Sequence, residues 1–312
     1  MRLVMIMPIY NELQKGNLRR CLDNAKKVGF NNIIILDDGS TDKSYEYCKS
    51  RKDLPITVYR NEKNSLVSSG ESRWYFLTNK ALELSSDAWI FVQSADCALS
   101  KSVFNGGMFE LLKSCDKNKV VKVKIKEVNL WRSDTWQRTD KTWAYWNLHG
   151  EQRIWKVQKD LPINMYNRAI LHRSHHFPEL NGIEAVVQGV TSIHYGFNSE
   201  KLILEKFKRY MDVASSNSNS HFLWSPTKED VPPALFAWRV NSYKILEEYN
   251  LKLKKVKEEW FDKEDMPNMD EEKPKPISWD RVIEVICKNK KMAKHWRECF
   301  INRYGCYRGI NG

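Results

Sequence analysis

The chain has no apolar run of membrane-spanning length, so it reads as soluble or at most peripheral to a membrane. It has no cysteine pair at C-x-x-C spacing. Its seven cysteines are odd in number and scattered, which argues against a disulfide framework and a clustered zinc site and favours thiols in a reducing, cytoplasmic setting. No zinc-finger spacing or ribonucleoprotein motif is present, which weighs against a dedicated nucleic-acid-binding module. Internal repeats are absent as well. The opening "MRLVMIMPIY" is too briefly apolar for a signal core and lacks a small-residue cleavage site; it reads as a first strand.

What is present points to a folded enzyme-sized domain. Hydrophobic residues make up 42% of the 312 positions and there are 12 tryptophans, enough to build a large core. A net charge of +12 suits either a polyanionic partner or plain solubility.

The first hundred residues alternate strand-like and helix-like segments. Leu3–Ile9, Ile33–Leu36, Pro55–Asn61 and Ala88–Gln93 read as strands, with helices over Asn11–Val28, about 41–50 and about 70–84. Such alternation predicts βαβ units and a parallel sheet. Val120–Val128 alternates strictly and reads as a strand with one wet face. From Leu130 to Arg173 the chain is dense in Trp, Arg and His, a composition suited to pocket walls or to an aromatic core. Lys263–Pro276 is charged and proline-bearing and reads as a linker. The segment 277–312, with eight Lys/Arg against three Asp/Glu and several aromatics, reads as a basic appendage.

Chemistry concentrates where the strands end. "IIILDDGSTDKS" stops four apolar residues at Asp37 and Asp38, then supplies a glycine for a turn and hydroxyls for a helix cap. That pattern alone is equally a turn with no ligand. "MPIYNE" places Pro8, Tyr10 and Glu12 on the same edge, and "FVQSADC" brings Ser94 and Asp96 there. In an open parallel sheet, ligands bind outside the carboxyl ends of the strands, so three such ends converging with acids mark a site.

These motifs, with "RIWK" at Arg153–Lys156, "ILH" at Ile170–His172 and "SIHYGFNSEKLILEKFKRY" at Ser192–Tyr210, resemble the family 2 glycosyltransferases of the GT-A fold over residues 1–212. The resemblance implies an α/β Rossmann-like mixed sheet flanked by helices. Residues 1–105 would form a nucleotide-binding half and 106–212 an acceptor half. A helical extension over 213–262, the linker over 263–276 and the basic segment would make a C-terminal helical appendage. It also implies a nucleotide-sugar donor, expected to be a UDP-sugar, transferred with inversion with help from Mn²⁺ or Mg²⁺.

Residue by residue, Pro8, Tyr10 and Glu12 would border the nucleotide pocket and Asp38 would bind the nucleoside beside Asp37. Asp96 and His194 would hold the metal, and Arg153 would meet diphosphate oxygens. The sequence departs from the family where Ser94 stands in place of the first acid of D-x-D and Cys97 stands where an acid often follows. The general base is sought among Glu179, His176, His175, Glu184, Asp134 and Asp140, with Glu179 first and His176 next. A glycan or lipid-linked glycan is the first expectation for the acceptor, with a peripheral membrane contact for the tail. A hydroxylated base in DNA is the second and a protein side chain the third. A non-catalytic nucleotide-sugar-binding relic is the contrasting reading.

Overall fold

The computed structural model describes residues 1–63, 66–84, 87–139, 151–158, 180, 182–203, 205 and 252–275. The chain forms two compact units, one from Met1–Val128, Tyr145–Tyr195 and Lys257–Pro267, the other from Asn129–Ala144, Gly196–Val256 and Asn268–Gly312.

The first unit is built on β1 (Arg2–Ile9), β2 (Asn32–Asp37), β3 (Ile56–Arg60) and β4 (Ala88–Val92), which lie parallel in the order β3-β2-β1-β4. The apolar runs of β1, β2 and β4 are buried on both faces, as their lack of alternation predicts. In β1, Leu3, Met5 and Met7 point into one core and Val4 and Ile6 into the other; in β2, Ile33 and Ile35 separate from Ile34 and Leu36 in the same way.

Helix α1 (Asn17–Val28) covers the first face with Leu18, Cys21, Leu22, Ala25 and Val28, spaced to share one helical stripe. It stops at Gly29, whose φ of 84° is the left-handed cap that a side chain would disfavour. Helix α4 (Gly107–Lys117) joins it there through Met108 and Leu112, while α3 (Leu66–Leu84) seals the opposite face with Trp74, Leu77 and Ala81.

The sheet then becomes mixed, as the GT-A resemblance implies. β8 (Glu151–Lys156) runs antiparallel to β4, and β6 (Val120–Asn129) antiparallel to β8. The order ends β8-β6-β9-β5, with β9 (Ile183–His194) antiparallel to the short edge strand β5 (Cys97–Leu99). An edge strand leaves backbone groups to be satisfied, and here buried Asn24 of α1 does it twice. Its amide donates to Leu99 O at 2.8 Å, and its side-chain oxygen accepts from Leu99 N at 2.9 Å.

In the second unit, β7 (Trp136–Arg138) pairs antiparallel with β10 (Leu253–Lys255). Trp131 is fully buried there between the Arg138 guanidinium, 4.4 Å from its ring, and Phe197. Glu271 accepts hydrogen bonds from Ser133 and Thr135.

Several boundaries differ from the sequence reading. Helix α1 starts at Asn17, not Asn11, because Asn11 and Gly16 take positive φ and residues 11–14 bond to the loop after β2. Helix α2 (Ser44–Ser50) starts after Lys43, at φ 66°. Within the stretch read as a helical extension, Leu253–Lys255 is a strand, since its alternation finds β7 as a partner. Part of the charged segment read as a linker is fixed in place: Lys27 grips Asp265 at 2.7 Å, together with Asp262 just before the segment at 2.6 Å. Trp131 and Trp155 are core residues rather than pocket walls. Trp143, Trp146 and the basic segment 277–312 lie outside the described residues.

Candidate active site

The strand order reverses between β1 and β4, so the crevice beyond their carboxyl ends is the natural ligand site of the sheet. Two loops form its floor and are bonded into one platform. Asn11 N donates to Ser40 Oγ at 2.9 Å, and Thr41 N to Asn11 Oδ1 at 2.7 Å. Glu12 N and Leu13 N both donate to Ser44 Oγ, and Gln14 N donates to Asp42 Oδ2. The polar cluster after β2 is therefore a turn and also a splint for the exit of β1.

At the end of β2 the two acids diverge. Asp37 turns inward: its carboxylate accepts from Ser40 N and lies 3.4 Å from Arg60, and burial raises its pKa despite these partners. Asp38 is fully buried and accepts from Asn61 Nδ2 at 2.8 Å and Arg73 Nη1 at 3.4 Å. Neither of those donors was anticipated. Asn61 directly follows β3 and could have been suspected from its place on the same edge, whereas Arg73 arrives from α3 through tertiary packing.

Across the crevice, β4 runs into the turn Ser94–Cys97, closed by Cys97 N donating to Ser94 O at 3.1 Å. Asp96 is carried on that turn. Its carbonyl accepts from Tyr195 N at 2.7 Å, and its carboxylate meets His194 Nε2 at 3.0 Å. Cys97 and His194 are directly paired across the β5-β9 ladder. One donor atom each from Asp96, Cys97 and His194 lies within 4.8 Å of the others, a carboxylate, a thiol and an imidazole that suit a divalent cation.

Glu12 feels this corner. Burial raises its pKa first, the charge of Asp96 adds to it, and Lys15 at 2.8 Å and Asn17 at 3.1 Å hold its carboxylate.

The model of the family described as glycosyl transferase family 2 matches residues 4–176, more than half of the chain. The chain belongs to this family. No curated protein matches it. Solved structures similar to this family 2 chain include S. aureus TarS 1–349, at 15% identity and a TM-score of 0.42, covering 80% of this chain and 74% of that one. The mannosyltransferase PcManGT from Pyrobaculum calidifontis, solved with GDP-Man and Mn²⁺, follows at 13% identity and a TM-score of 0.39, covering 78% and 69%. A 4-diphosphocytidyl-2C-methyl-D-erythritol synthase from Anaerococcus prevotii stands at 12% and 0.36, covering 70% and 95%.

The remaining sequence-derived candidates of this family 2 chain distribute as follows. Pro8, Tyr10 and Ser94 are half-buried at the crevice edge. Arg153 is buried, bonded to Glu127 with its Nη2 4.0 Å from Cys97 Sγ. Asp134 accepts from Asn198 Nδ2 at 2.6 Å, and Glu184 pairs with Lys124 at 2.6 Å. Glu179, His176, His175 and Asp140 lie outside the described residues.

Proposed function

We propose that the protein transfers one sugar, with inversion, from a UDP-sugar to a glycan hydroxyl, assisted by Mn²⁺ or Mg²⁺. The observation that carries this reading is the pairing of two acids on one sheet edge of a family 2 chain: Asp38, held by donors, and Asp96, held by His194.

Asp38 accepts from the nucleoside, with Asp37, Tyr10 and Pro8 shaping the pocket around it. Asp96 and His194 would hold the cation, which would supply neutralisation of the charge that develops on the departing diphosphate. Glu12 adds negative potential to that corner. Arg153 supports the corner from below through Glu127 and positions Cys97. A single in-line displacement needs a base that takes the acceptor proton as oxygen attacks the anomeric carbon, and Glu179 is assigned that role, with His176 second. A glycan is the preferred acceptor because family 2 membership is what supports this reading.

Thermal melting against UDP, GDP, CDP and ADP, each with Mn²⁺ or with EDTA, tests the donor side, since a ligand selective for the folded state raises Tm by mass action. A Mn²⁺-dependent rise with UDP is expected. A chain that shifts with none of them is not a nucleotide-sugar enzyme of this kind.

A further inference from the structure

Catalytic zinc-type sites supply three side chains and leave the fourth place to water or substrate, whereas Mg²⁺ makes do with one or two carboxylates and the substrate's phosphates. Asp96 and His194 are two. The third donor within reach is sulfur: Cys97 Sγ lies 3.9 Å from Asp96 Oδ1, and the three donor atoms fit within 4.8 Å of one another. Ligand atoms on one tetrahedral ion stand about 3.3 to 3.8 Å apart, from metal bonds of about 2.0 to 2.3 Å, so the trio is already close to coordinating spacing.

The backbone explains why. Cys97 and His194 are partners across an antiparallel ladder, which sets their side chains on the same face of the sheet, and Asp96 sits on the turn that feeds β5. The other described cysteines, Cys21, Cys48 and Cys115, are buried too, and none of them belongs to a metal-ligating group among the described residues.

We propose that Cys97 is the third protein ligand of the cation, giving an oxygen, sulfur and nitrogen site that takes thiophilic ions such as Co²⁺ and Zn²⁺ in preference to Mg²⁺. This rests on the reading of Asp96 and His194 as the cation site. Thiolate ligation favours the softer ions, whereas a carboxylate and an imidazole alone leave harder ions competitive. The cation would then be set by the chain's own sulfur as well as by the diphosphate.

The test is a Co²⁺ titration of the full chain followed by electronic absorption, with Cys97→Ser and Asp96→Asn beside the wild type and circular dichroism as the check of folding. The wild type is expected to develop the sulfur-to-cobalt charge-transfer band in the near ultraviolet together with visible ligand-field bands. Cys97→Ser should keep the visible bands and lose the charge-transfer band, with its preference for Zn²⁺ over Mg²⁺ falling about tenfold or more. Asp96→Asn should lose both. Visible bands without charge transfer in the wild type would overturn the sulfur ligand and leave the cation site standing. No bound Co²⁺ at all would overturn the cation site itself. A charge-transfer band that persists in Cys97→Ser would place the sulfur elsewhere and also overturn the inference. Should Cys97→Ser not fold, Cys97→Ala takes its place, and the wild-type spectrum alone still decides whether sulfur is bound.

Discussion

The end of β2 and the corner where β5 meets β9 both present a buried or half-buried aspartate to the same crevice, yet their surroundings differ in kind. Asp38 accepts from an amide nitrogen and a guanidinium nitrogen, both of which donate to it. Asp96 is met by an imidazole, with a thiol beside it, groups that donate here and that can also offer lone pairs once deprotonated. A carboxylate held by donors is fixed as an acceptor for a ligand's N–H or O–H. A carboxylate gathered with other lone pairs is stabilised by a cation. The same residue type thus stands in two different settings, which the proposed function reads as two chemistries.

The largest effect expected is at Asp96, the proposed cation ligand. Asp96→Ala should lower metal-dependent sugar transfer about a hundredfold or more, because several kcal/mol of charge stabilisation go with the cation. Circular dichroism should show the fold retained, and an active variant would dissolve the distinction drawn above. Asp38→Ala is next. It should weaken UDP binding by calorimetry roughly ten- to a hundredfold, the worth of one or two hydrogen bonds to a charged group, while Co²⁺ affinity stays unchanged. Equal losses of nucleotide and cobalt would merge the two regions into one site.

A smaller effect should appear in the platform. Ser44→Ala leaves the amides of Glu12 and Leu13 without their acceptor, at a cost of about 1 to 3 kcal/mol, and should lower Tm by roughly 3 to 8 °C. Nucleotide binding should suffer more than cobalt binding, which a paired titration would reveal.

The smallest concerns Asp37. Burial raises its pKa, so its contribution to stability is full below the ordinary carboxylate value and is lost as pH rises through the raised one. At neutral pH the buried charge opposes folding. Asp37→Asn keeps the oxygen that Ser40 N bonds and should raise Tm at neutral pH by roughly 1 to 3 °C, the gain shrinking as melts are run toward pH of about 4. A destabilised variant at neutral pH would mean that the Arg60 ion pair outweighs burial.

The parallel half of the fold was legible because strands buried on both faces leave an unmistakable mark. Leu3–Met7 and Ile33–Leu36 have no polar face to confuse with anything else. Helix starts were less legible: Asn11 and Lys43 take positive φ for reasons that lie in the partner loop. Of the candidate site, Asp38, Asp96 and His194 could be picked from motif and spacing. Arg73 and Glu127 could not, since each meets its partner only through packing between distant elements, whereas Asn61 stands on the same sheet edge as Asp38. Arg153 was read as facing phosphate because a guanidinium invites that reading, yet Glu127 holds it in the interior.

What the sequence determined by itself was therefore the class of fold, the edge of the sheet that carries the chemistry, and the acids on that edge, because strand periodicity and turn residues are local properties. The tertiary structure decided what those acids face. Asp96 and His194 are 98 positions apart, and the β5-β9 ladder alone sets Cys97 opposite His194. Long-range pairing is invisible to local pattern, and it is the pairing that brings a carboxylate, a thiol and an imidazole within 4.8 Å of one another.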